Sequence, residues 1–82
     1  MLKPVPINLD KIYVPVKYKD AVDRQKVEEL TQSILEKGLL TPIHVRADKD
    51  RYVLVTGLHR LEAVRALGET QISALIVRAR QF

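Results

Sequence analysis

Apolar and polar positions fall into short runs along this chain, and glycine or proline marks most of the breaks. Residues 5–9 (Val-Pro-Ile-Asn-Leu) alternate apart from Pro6, which predicts a short edge strand, where a missing N–H is tolerated. Residues 10–23 show no period and predict an extended loop, with 12–16 pairing locally. Asp23 is a good N-cap, and Val27, Leu30 and Ile34 then recur at i, i+3 and i+7, predicting a helix over 24–37 that stops at Gly38. Leu39-Leu40-Thr41-Pro42 turns into a strand at 43–46, Asp48-Lys49-Asp50 forms a polar hairpin tip, and 51–56 returns as a strand. Val53 and Val55 face opposite to Tyr52 and Leu54, so this strand is apolar on both sides and reads as central and covered. Gly57 breaks it, residues 58–67 form a second, largely buried helix ended by Gly68, and 72–77 form the last strand. The order β-α-β-β-α-β predicts a small single α/β (α+β) domain, a mixed sheet of about four strands with two main helices packed on it.

Composition narrows the field. With 82 residues, 46% hydrophobic and 29% charged, the chain is an ordinary globular domain with a thin core that could lean on a partner or a second copy of itself. No apolar run approaches the roughly 18 residues a bilayer span needs, so no membrane partner is expected. Met1-Leu2-Lys3-Pro4 has no apolar h-region and predicts no secretory signal, which points to a cytoplasmic protein. The absence of cysteine excludes disulfide scaffolds, thiolate metal sites and cysteine catalysis. Fourteen basic against ten acidic residues is compatible with a nucleotide or nucleic-acid partner, or simply with a soluble surface. Arg60, Arg65, Arg78 and Arg80 are answered in the C-terminal part only by Glu62 and Glu69, leaving an anion-binding face and a basic tail as alternatives.

Candidate chemistry concentrates at Thr56-Gly57-Leu58-His59-Arg60, between a buried strand and a buried helix. Gly57 permits a sharp turn or a close backbone approach. The first helical amides have no partner within the helix and form the positive end of its dipole, which suits an anion. His59 and Arg60 bring donors to the same place, and a guanidinium can grip a phosphate with two bonds. The plain alternatives are a satisfied or solvent-facing His59 and an Arg60 paired with a loop carboxylate. Leu58 projects with Glu62 and Arg65, away from the Leu61/Val64/Leu67 stripe, and reads as an exposed leucine or as a cover for a base or sugar.

On the first helix, Lys26, Ser33 and Lys37 lie within about 40° of one another at the edge of the apolar stripe, where a helix meets its neighbour and can line a crevice. Equally, Lys26 could snorkel or pair with Glu29, and Ser33 could be a small packing residue. His44 and His59 are isolated, which predicts no metal site. There is no GxxxxGK[ST], no GxGxxG and no nucleophile elbow, and Asp48 with Asp50 reads as turn chemistry.

Gly38-Leu39-Leu40-Thr41-Pro42-Ile43 after a helix, then Thr56-Gly57-Leu58-His59-Arg60-Leu61-Glu62-Ala63 and Leu67-Gly68, resembles the ParB N-terminal/sulfiredoxin superfamily over residues 5–77. In the ParB branch the junction is Gly-Glu-Arg-Arg-like and binds the triphosphate of CTP, with a helix-turn-helix domain following. No such domain is expected in this chain. In sulfiredoxin the junction is Gly-Cys-His-Arg, which binds ATP phosphates and supplies the catalytic cysteine. His59 and Arg60 match its phosphate-binding pair, Lys26 its phosphate-binding lysine and Ser33 its phosphate-binding threonine. Glu29 stands where that family has a small hydroxyl residue, so that contact does not carry over. Leu58 replaces the cysteine, and reduction of a sulfinic acid by that route is excluded.

The resemblance implies one crevice that joins Gly57, His59 and Arg60 to Lys26 and Ser33. It would hold the phosphates of a nucleoside triphosphate (ATP or CTP), with or without Mg2+. Hydrolysis or phosphoryl transfer is compatible with such a crevice, although no base or nucleophile stands out. The rival readings are a DNA-associated regulator or nuclease-like module touching backbone phosphates through Arg65, Arg78 and Arg80, and a non-catalytic interaction domain of a longer protein, working as a homodimer or beside an additional domain.

Overall fold

The computed structural model describes residues 3–39 and 41–78, among which no helix is long and apolar enough to cross a membrane. The elements are strand β1 (Val5–Asn8), a 3-10 turn (Leu9–Lys11), strand β2 (Ile12–Tyr13), helix α1 (Val16–Lys19), helix α2 (Arg24–Lys37), strands β3 (Ile43–Asp48) and β4 (Arg51–Thr56), helix α3 (Leu58–Ala66) and strand β5 (Gln71–Ile76). They form one mixed sheet in the order β1-β5-β3-β4-β2. The β1–β5 and β3–β4 pairs are antiparallel, whereas β3–β5 and β2–β4 are parallel. β1 is an edge strand, as its proline requires.

The sheet therefore has five strands where the polarity pattern predicts about four. Ile12 and Tyr13 pair alongside Tyr52 and Val53, which makes β4 an interior strand. The pairing expected over 12–16 is therefore shorter than expected and not local, since only Ile12 and Tyr13 pair and their partners lie in β4; two residues are too short a run to show a period or a partner. The same holds for the single turn of α1. Beyond the reach of β2, the Tyr18 hydroxyl donates to the Val55 carbonyl at 3.2 Å and so satisfies part of β4.

The core lies where α3 meets the sheet. Leu61 and Val64 pack with Ile43, Val45, Leu54, Ile72, Ala74 and Ile7, and Ile43, Val45 and Leu61 are fully buried. α2 packs on α3 rather than deep on the sheet. It buries Val27 and half-buries Leu30 and Ile34, leaving Leu35 exposed. This second-layer position of α2 opens a crevice between the two helices.

Candidate anion-binding site

Two helix N-termini meet here. α2 begins at Asp23, whose Oδ1 accepts from the N–H groups of Gln25 at 3.0 Å and Lys26 at 3.4 Å, so the sequence-predicted N-cap is formed. α3 begins at Gly57, and no side chain caps it. Its first free amides therefore stay available, with the positive dipole end behind them and no carboxylate in the first turn.

Gly57 adopts φ +105°, and a Cβ on it would lie 2.6 Å from Ile43 Cγ2 and 3.2 Å from Ile43 Cα. Only glycine fits both the dihedral angle and the contact. The close approach seats the start of α3 directly on β3. Arg60 is drawn across that contact, its Nη1 donating to the Thr41 carbonyl at 3.4 Å. No carboxylate pairs with Arg60 among the described residues. His59 is tied to the other helix, because the Asp23 N–H donates to its Nε2 at 3.0 Å.

Between the helices lies a cleft of about 640 Å³. Lys26, Glu29, Leu30 and Ser33 line it from α2, and Gly57, Leu58, His59 and Arg60 line it from the α3 junction. The structure thus brings together the five residues expected to share one crevice. Lys37, on the same helical arc as Lys26 and Ser33, does not line it. Glu29 and Leu30 also line the cleft, beyond the residues expected there. Asp23 was legible as a cap, but its bond to His59 joins positions 36 apart and leaves no trace in a local pattern.

Leu58 corrects one of its two expectations: it is not an exposed leucine, and it does line the cleft. It is buried, 9% exposed, and belongs to the core cluster. The wheel places it on the correct side, since a second hollow holds Leu58, Glu62 and Arg65 together. On that side Ile12, Val14 and Val22 pack against the same core cluster. The segment expected to be loop folds over the helix, and a wheel cannot anticipate a cover.

Of the basic residues expected to touch DNA, the two among the described residues line separate hollows. Arg65 faces Glu62 at 3.8 Å beside the second hollow. Arg78 lines a separate groove with Lys17, His44 and Arg46. Arg80 lies outside the described residues.

Residues 4–81 match the ParB N-terminal domain. The chain belongs to that family. A probable chromosome-partitioning protein ParB of Campylobacter jejuni is 38% identical over 71 residues, covering 85% of this chain and 26% of the relative. The chain thus spans about a quarter of that relative's length. Among solved structures, sulfiredoxin from Arabidopsis thaliana superposes with a TM-score of 0.84 at 35% identity, over 94% of this chain and 86% of that one. A truncated ParB from Caulobacter crescentus complexed with CTP-gamma-S gives 0.80 at 24%, over 96% and 46%. A free serine kinase variant in complex with ADP gives 0.76 at 23%, over 90% and 30%. The last two share the fold, and both carry a nucleotide.

Proposed function

We propose that this ParB N-terminal domain binds a nucleoside triphosphate of the ATP or CTP type, with the phosphates across the N-terminus of α3. The observation that carries this reading is the convergence of Lys26 and Ser33 with Gly57, His59 and Arg60 around uncapped helix amides. The amides and the Arg60 guanidinium bind phosphate oxygens, Lys26 supplies a second cation, and Ser33 a hydroxyl. Nucleotides in complexes of the same fold support the choice of ligand. Among the described residues Glu29 is the one carboxylate lining the cleft, so a divalent cation such as Mg2+ would be held largely by the phosphates themselves. With cysteine absent, this chain cannot supply the thiol chemistry of sulfiredoxin.

Isothermal calorimetry with ATP, CTP, GTP and duplex DNA, each with and without Mg2+, tests the proposal. Saturable binding of a triphosphate is the expected result. Salt-sensitive DNA binding without nucleotide binding would favour the DNA-associated reading through Arg65 and Arg78, and silence from every ligand would favour an interaction domain.

A further inference from the structure

His59 enters the cleft with one ring nitrogen already occupied. The Asp23 main-chain N–H donates to Nε2 at 3.0 Å, and an imidazole nitrogen accepts a hydrogen bond only when it carries no proton. The tautomer this bond selects carries its proton on Nδ1. Nδ1–H meets no protein acceptor in any hydrogen bond formed among the described residues. It is the one donor the ring has left for a ligand.

We infer that Asp23 is a positioning residue of the cleft: its main chain holds His59 as the Nδ1–H tautomer, so that a neutral imidazole donates from Nδ1 to a phosphate oxygen. This inference rests on the phosphate reading of the cleft and adds the donor atom and the protonation state.

Asp23 serves both walls at once. Its carboxylate accepts from the Gln25 and Lys26 amides and fixes the wall that carries Lys26 and Ser33. Its N–H fixes the ring on the opposite wall. The charged groups around the ring are the Asp23 carboxylate, Lys26 and Glu29 from α2, and Arg60 from α3. A second proton on the ring would set Nε2–H against the Asp23 N–H, two donors facing each other where a bond now stands. Phosphate capture therefore proceeds without proton uptake at His59, and the positive charge on the ligand side comes from Lys26 and Arg60.

Long-range 1H–15N NMR of the full chain at neutral pH reads the tautomer directly, with His44 as an internal reference. The expected result is a His59 ring protonated on Nδ1 and bare on Nε2, unchanged when ATP or CTP saturates the protein. Calorimetry in two buffers of different ionisation enthalpy should give equal binding enthalpies. His59→Asn, which keeps a donor near the Nδ1 position but no acceptor for the Asp23 N–H, and His59→Gln, which keeps that acceptor near Nε2 but no donor near Nδ1, should each lose about 10-fold in affinity. An Nε2–H or doubly protonated ring in the free protein, or uptake of a proton on binding, would overturn the inference while leaving the nucleotide reading intact. Absence of nucleotide binding in the same titrations would overturn the phosphate reading, and with it the ligand half of this inference, whichever tautomer is found.

Discussion

A methyl group placed on Gly57 would lie 2.6 Å from Cγ2 of Ile43, a side chain with no exposed surface. The contact explains why the chain can leave β4 and start α3 with its first amides free beside the loop carrying Thr41. Gly57→Ala should combine strain at φ +105° with overpacking against a fixed core residue, costing about 2–4 kcal/mol. In a domain of this size that corresponds to a fall in melting temperature of roughly 8–32 °C, which differential scanning calorimetry measures.

Leu58 separates a helical-wheel reading from the structure. An exposed leucine would change stability by within about 0.5 kcal/mol on truncation. Because Leu58 is buried in the core cluster against which Val14 and Val22 pack, Leu58→Ala should cost about 2–4 kcal/mol in urea unfolding.

The Asp23 carboxylate caps α2 through two amides. Asp23→Ala should destabilise the domain by about 1 kcal/mol, and Asp23→Ser should recover most of that loss, as read by equilibrium denaturation.

Arg65 and Arg78 line hollows separate from the cleft between α2 and α3. Their alanine variants should bind nucleotide within about 2-fold of wild type. Arg60→Ala, which removes a charged donor from the cleft itself, should weaken binding by about 10- to 100-fold. Parallel calorimetric titrations compare the three.

Helices α2 and α3 and the main hairpin were legible because their signals are local and redundant. Asp23 before a 3.6-residue stripe and Gly38 after it bound α2 at Arg24 and Lys37, where the structure also places its ends. The Asp48-Lys49-Asp50 tip between two apolar runs marked the hairpin, and Lys49 there takes φ +53°. The five cleft residues were legible in two halves, from the junction after β4 and from the edge of the α2 stripe. The β2–α1 segment was not, because two paired residues and one helical turn are fixed by what they cover rather than by their own pattern. The buried state of Leu58 was lost with that segment. The link between Asp23 and His59 was hidden for another reason, since one of its two partners is a main-chain group.

A triphosphate bound as proposed would lie across the N-terminus of α3 between Lys26 and Arg60. The most direct measurement is a 1H–15N NMR titration of the labelled chain with ATP and with CTP. The largest shifts should fall on the amides of Leu58, His59 and Arg60, with smaller ones at Lys26 and Ser33. No movement of these amides at millimolar nucleotide, or shifts centred instead on Arg46 and Arg78, would contradict this placement.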